Sequence, residues 1–289
     1  DEIRYSRLYD ALIRLNASIT ISCEPRLYEL LSQRFPKAKF IKVNRNRIVS
    51  DSDLDKYNQL PHKFLHRIMD NYLFSEIEKY DKITILTDIS SELIDDFVHS
   101  NQYDAVKLPC SKVHTDLIEQ VKLLRKKNKM IIGLSWRSSL ETLMNRYDHY
   151  FNLNELAPLL KLEDMIFVNL QYGNCSEEIM HLQSHCDSEF INLDVDYYND
   201  FLSVYYIMQN LDVIVSSGTT VLELAGLSGT ETFVLTNHQY FKPRIQKNNR
   251  DVWFPNIKYI DGMTNLSKID VVTKIAKNIE ALNEINEST

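Results

Sequence analysis

Strand-like and helix-like segments alternate along almost the whole chain, and this alternation restricts the fold more than any other feature. Parallel strands need long, usually helical crossovers, whereas antiparallel neighbours need only a tight turn. Residues 3–15 place Ile3, Leu8, Leu12 and Leu15 at helical spacing. A strand at 18–23, a helix opened by Pro25, and a strand at 38–43 follow. Residues 44–60 are polar and read as a loop, and 61–79 as a helix. Then come a strand at 83–88, a helix at 90–100, a strand at 104–108 and a helix at 111–127. After the basic stretch 125–129 the pattern restarts with the apolar strand MIIGLSW at 130–136. Further strands are expected at 165–173, 189–194, 212–217 and 231–236, separated by helices. A last helix over 267–284 should face inward with Ile269, Val272, Ile275, Ala276, Ile279 and Leu282. The pattern implies two Rossmann-like α/β domains with parallel sheets, 1–128 and 129–289, whose ligands sit where the strands end, toward a central cleft.

Composition narrows the partners. Hydrophobic and charged fractions of 44% and 25% are those of a soluble globular protein. A net charge of −7 argues against nucleic acid, whose binders carry a basic face. No apolar run approaches the length of a membrane span and no signal peptide opens the chain. The four cysteines form no CxxC pair, which fits a reducing cytoplasm. The chain opens at Asp1 without Met, as a piece of a longer protein would.

All six glycines (Gly133, Gly173, Gly218, Gly226, Gly229 and Gly262) lie in the second half. Glycine is needed where a backbone turns sharply or approaches a ligand, so this half is the place to look for a phosphate site. In VIVSSGTTVLELAG a buried strand ends at Ser216 and Ser217, and a helix starts after Gly218-Thr219-Thr220. A helix opening there aims free N–H groups and partial positive charge at a ligand. Gly218 would allow close approach, and both threonines would add donors. Thr220 and Glu223 have capping-box spacing. The competing reading is an ordinary strand–turn–helix with a threonine cap, since the full G-x-G-x-x-G pattern is absent. A second strand end delivers Ser135, Arg137 and Ser138, where the arginine fork suits phosphate, with Arg146 nearby in sequence. A third offers Gln171 and Tyr172 to a base and Gly173 to a tight turn. His181 and His185 sit four apart beside Cys175 and Cys186, but a zinc set needs a second ligand pair, so no metal is expected. Tyr197, Tyr198, Tyr205 and Tyr206 suit half-buried packing better than a sugar platform. The run KLLRKKNK fits a solvated helix end better than peripheral contact with an anionic membrane.

Several segments, in order, resemble the glycosyltransferase domain that follows tetratricopeptide repeats in many bacterial proteins, itself related to the heptosyltransferases of glycosyltransferase family 9. They are DEIRYSRLYDALI, SCEPRLYELLSQRFP, IIGLSWRSS, FVNLQYGNCSEE, DVIVSSGTTVLELAGLSG and DVWFPNIKYI. The resemblance implies a GT-B architecture with a nucleoside-diphosphate-sugar donor held by the second domain. It implies no cofactor or metal, inverting transfer, and an acceptor hydroxyl on a glycan, lipid-glycan or protein. Asp1 occupies the position of the family's catalytic base. Thr219 matches the threonine at the diphosphate helix, Arg137 the arginine after the second domain's first strand, and Trp253 and Pro255 a cleft segment. Where relatives often have Asp-Thr and a His four residues later, this chain has Gly218-Thr219 and Glu223, and a Glu on such a helix binds ribose in other GT-B enzymes. A non-catalytic module of the same fold is the rival, and a sugar-nucleotide epimerase of that fold a third class.

Overall fold

The computed structural model describes residues 2–15, 18–44, 51–59, 70–100, 107–108, 113–138 and 150–287. By internal packing the chain forms two compact units, essentially Arg4–Gln102 and Tyr103–Thr289.

In the first unit, helices α1 (Glu2–Tyr5) and α2 (Tyr9–Leu15) precede strand β1 (Thr20–Cys23). Helix α3 (Tyr28–Arg34) then crosses to β2 (Lys39–Lys42), which runs parallel to β1 from Thr20↔Lys39 to Cys23↔Lys42. Pro25 opens a short 3-10 turn ahead of α3, where its missing N–H costs nothing. Leu8, Leu27, Leu30, Leu31 and Phe35 are buried, and the Tyr9 ring packs edge-on at 5.2 Å from that of Phe35.

Four expectations for this half change. A helix, α4 (Asp51–Asn58), lies within the span read as loop; its Asp-rich sequence has no apolar period to reveal it. Helix α5 (Asn71–Glu76) is capped by Asp70, whose carboxylate accepts from Leu73 N at 2.8 Å. The rest of the helix expected at 61–79 is a 3-10 turn (Ile77–Lys79), apart from 61–69, which lie outside the described residues. The strand expected at 83–88 is not formed: Ile83 and Ile85 are exposed, and helix α6 (Leu86–Ser100) begins instead. Leu86, Ile89, Ser90 and Leu93 turn inward at helical spacing, a longer register than the brief alternation before it. Lys107 and Leu108 form no strand, and the remainder of the strand expected at 104–108 lies outside the described residues.

The second unit takes in α7 (Thr115–Arg125), which falls in the span 1–128 expected to be the first domain. The Arg125 guanidinium reaches Asp212 Oδ1 at 2.6 Å, and Asp212 Oδ2 accepts from Ile131 N at 2.8 Å. The expected βα repeats follow: β3 (Met130–Ser135), α8 (Ala157–Leu160), β4 (Met165–Asn169), α9 (Ser176–His185), β5 (Glu189–Ile191), α10 (Phe201–Met208), β6 (Val213–Ser217), α11 (Thr220–Ser228) and β7 (Glu231–Leu235). Three described elements escaped the pattern, the 3-10 helices at Gln239–Arg244 and Met263–Asn265 and the short strand β8 (Ile257–Lys258). Helix α12 (Lys268–Glu287) closes the unit. Its inner face is Val271, Val272, Ile275, Ala276 and Ile279, while Ile269, expected inside, is 51% exposed.

All six strands are parallel, in the order β5-β4-β3-β6-β7-β8. The strands β3, β4 and β6 are buried throughout, as a sheet covered on both faces requires. The chain builds outward from β3 to β5, then returns to the other side of β3 with β6. The reversal between β3 and β6 is the topological switch point, and the crevice beyond their carboxyl ends is where such sheets place ligands. Among the described residues no helix is long and apolar enough to cross a membrane.

Candidate functional site

The β6–α11 turn sits at that switch point. Ser216 and Ser217 are fully buried, and Ser217 Oγ donates to Trp136 O, tying the end of β6 to the end of β3. The chain then emerges: Gly218 and Thr219 are half-buried and Thr220 is exposed. Thr219 is the N-cap, its extended backbone (φ −116°) letting Oγ1 accept from Val221 N at 3.2 Å. Helix α11 therefore starts at Thr220, and Thr220 and Glu223 do not form the expected capping box. Thr219 turns its hydroxyl to Val221 N as a cap, and its carbonyl accepts from Leu222 N at 3.1 Å, so part of the first turn's N–H set is already satisfied within the turn.

Gly218 is required here for a packing reason. A Cβ at this position would lie 2.1 Å from Phe241 Cζ, so the ring of the 3-10 helix seats on the turn itself. The same segment supplies Arg244, whose Nη1 donates to Glu223 Oε1 at 2.7 Å and whose Nε donates to Asp251 Oδ2 at 2.8 Å. Tyr259 donates its hydroxyl to Asp251 Oδ2 at 2.7 Å, and Asp251 Oδ1 accepts from Trp253 N and Phe254 N. The network is buried. Burial works against the Arg244 charge, yet Glu223, Tyr259 and Asp251 together hold its pKa above the ordinary value. Burial, reinforced by Asp251, raises the Tyr259 phenol. The Glu223 carboxylate, expected at a ribose, is thus engaged by Arg244 in this structure.

The ends of β3 and β4 are joined through Gln171. Its Oε1 accepts from Trp136 N and Arg137 N, each at 3.0 Å, and from Ser135 Oγ at 3.3 Å. Its Nε2 donates to Arg137 O at 2.8 Å and Tyr172 O at 3.0 Å. At 1% exposure Gln171 braces two loops, rather than presenting an amide to a base as expected. Gly173 has φ +87°, a left-handed turn that a side chain would strain. The turn leads into α9, whose Glu178 faces Arg137. Arg137 Nε lies 2.9 and 3.0 Å from the two Glu178 oxygens, and Nη2 donates to Oε2. Trp136 Nε1 donates to Glu178 Oε1 at 3.0 Å, and Arg137 Nη2 also reaches Asn174 O at 3.0 Å. The Tyr172 ring lies 6.0 Å from that of Tyr198. Burial raises the Tyr172 phenol, while the hydroxyls of Ser138 and Thr219 pull the other way.

The second-half candidates therefore gather at one end of the sheet, with Ser135, Gln171, Ser217 and Glu223 buried: Ser135 and Arg137 at the end of β3, Gln171, Tyr172 and Gly173 after β4, and Ser217, Gly218, Thr219, Thr220 and Glu223 at the β6–α11 junction. Asp1 and Arg146 lie outside the described residues. Glu178, Phe241, Arg244 and Asp251 escaped sequence reasoning. A clue to Glu178 was available, since an acid in the first turn of a helix that follows an Arg-bearing strand end invites pairing. Tyr197 and Tyr205 are packing residues bonded to Leu193 O and Leu227 O. The His181 and His185 rings stack at 4.1 Å along α9, and burial raises the Cys175 and Cys186 thiols. Among the described residues no three His, Cys, Asp or Glu side chains cluster to hold a metal ion.

No protein-family model matches the chain. Over 106 residues, 36% of its length, it is 30% identical to Protein FlbA of Caulobacter vibrioides, a match spanning 18% of that protein. Among solved structures it is similar to a glycosyl transferase family 9 protein from Veillonella parvula, with TM-score 0.56 and 11% identity over 96% of this chain and 93% of that one. It is also similar to ADP-heptose lps heptosyltransferase II of E. coli, with TM-score 0.54 and 12% identity over 99% and 96% of the two chains. These likenesses show the fold, an α/β chain with parallel sheets of the GT-B type.

Proposed function

We propose that the chain is a GT-B glycosyltransferase of the family 9 kind, moving a sugar from a nucleoside-diphosphate donor to a hydroxyl of a glycan, lipid-glycan or protein. The observation that carries this reading is the half-buried Gly218-Thr219 turn with exposed Thr220, which opens α11 at the switch point between β3 and β6. In ligand-free form such a helix start offers preorganised N–H donors and positive potential. Charge that builds on a leaving diphosphate would be offset there without reorganisation and without a metal. Acceptor activation by Asp1, with inversion, belongs to the same proposal. So do a cytoplasmic setting, tetratricopeptide repeats elsewhere in the protein, and peripheral membrane contact through a lipid-linked acceptor.

Calorimetric titration with ADP, UDP and GDP tests it. Saturable binding of at least one diphosphate, insensitive to a chelator, is expected, and Thr219→Val should weaken it about tenfold by losing the cap and a donor. Absence of binding by all three at millimolar concentration would falsify the reading. The second reading, a non-catalytic module, draws on the pairing of Arg137 with Glu178 and of Glu223 with Arg244. Donor hydrolysis that is lost in Asp1→Asn separates the two in favour of the enzyme.

A further inference from the structure

Where β3 and β4 end, a hollow of about 370 Å³ is lined by Arg137, Phe151, Asn152, Asn174, Glu177 and Glu178, together with Cys175. Among its described lining residues Arg137 supplies the one cation, against two carboxylates. The guanidinium meets Glu178 as it would meet a phosphate, with Nε spanning both oxygens at 2.9 and 3.0 Å and Nη2 on Oε2. Both partners are held in place. Gln171 fixes the backbone of Trp136 and Arg137. Glu178 lies in the first turn of α9, where a carboxylate is favoured, and is anchored by the Trp136 indole N–H at 3.0 Å. Their side chains are 11% and 26% exposed, so solvent screens the pair only in part.

We propose that Glu178 is a charge-selecting residue: by occupying the Arg137 fork it bars phosphate from this hollow and reserves it for the uncharged, hydroxyl-bearing part of the donor. The assignment rests on the reading of α11 as the diphosphate end. The physics is that of a satisfied ion pair. An incoming anion would have to displace a preorganised carboxylate from Arg137 and then lie beside that carboxylate and Glu177. A neutral polyol meets no such cost and finds the Asn152 and Asn174 amides in the lining.

The experiment uses inorganic pyrophosphate, titrated into the full chain at several ionic strengths. In Glu178→Gln, which keeps the shape and removes the charge, pyrophosphate should bind about tenfold more tightly or at an additional site, with a steeper fall in affinity as salt rises. Adding Arg137→Gln should abolish the gain, and Glu177→Gln, which removes a charge without releasing Arg137, should give a smaller one. The proposal is overturned if folded Glu178→Gln binds pyrophosphate no better than wild type, if the gain survives loss of Arg137, or if Glu177→Gln equals it. Should Glu178→Gln fail to fold, the Arg137→Gln/Glu178→Gln pair tests the same point without leaving a bare charge. Its pyrophosphate affinity stays within about twofold of wild type if Arg137 is committed to Glu178, and drops about tenfold if Arg137 grips phosphate. Failure of every nucleoside diphosphate to bind the wild-type chain would sink the donor reading by itself, because the pyrophosphate gain in Glu178→Gln is scored separately.

Discussion

Two arginine–glutamate pairs flank the switch point, and they are built for different tasks. On the β3–β4 side, Arg137 and Glu178 sit at the lip of a hollow, and each is also held by neutral groups. On the β6–β8 side, Arg244 is enclosed with two carboxylates, Glu223 and Asp251, and with the Tyr259 hydroxyl. The first pair borders space that a ligand can enter. The second locks the 3-10 segment, and with it Phe241, onto the turn that opens α11. A guanidinium at a nucleotide-type crevice is therefore no sign of phosphate binding until its partner is known. Here the enclosed pair shapes the anion site and the open pair borders it.

If that division is right, the enclosed pair should dominate stability. Arg244→Met leaves Glu223 and Asp251 buried without their cation, and a loss of about 3–5 kcal/mol is expected in urea unfolding. A loss no larger than that of Arg137→Met would erase the distinction between the two sides. Next in size is Gly218→Ala. Its Cβ would fall 2.1 Å from Phe241 Cζ, and displacing an aromatic ring in a packed site costs about 1–3 kcal/mol. Phe241→Leu should recover much of that loss in the double variant. Additive losses would mean that the ring does not set the turn.

Much of the second unit was legible because its strands are apolar runs separated by amphipathic helices, the pattern that periodicity detects. The glycines at 173 and 218 correctly marked strand ends, and the structure adds that Gly218 makes room for the Phe241 ring. What escaped depends on pairs distant in sequence. Glu223, Arg244, Asp251 and Tyr259 lie on a helix, a 3-10 turn, a loop and a strand end, and no local spacing joins them. Ile83 and Ile85 mark a second limit. Their alternation suits a strand edge, but a strand needs a neighbour, whereas Leu86, Ile89 and Leu93 can bury one helical face alone. Thr219 and Thr220 mark a third, because a cap displaced by one residue changes which side chain faces the first turn.

The smallest expected effect is the one that best locates the enclosed network. Burial, then Asp251, raises the Tyr259 phenol above its ordinary value. A raised phenol means that the folded chain keeps a proton which the unfolded chain releases near pH 10. The stabilisation is therefore fully present below that pH and is lost as pH rises toward the folded value, by up to about 1.4 kcal/mol for each unit above 10. Half-buried Tyr172 and Tyr197 are raised too, so the wild-type decline alone does not isolate Tyr259. Unfolding measured from pH 8 to 11 should show a shallower alkaline fall in Tyr259→Phe, even though that variant starts less stable for want of its bond to Asp251. In Glu178→Gln the part of the fall that Tyr259→Phe removes should persist, because the lip pair does not touch this phenol and acts instead on the Cys175 thiol. Equal slopes in wild type and Tyr259→Phe would place the alkaline sensitivity elsewhere, and would leave Asp251 balanced by Arg244 without help from the hydroxyl.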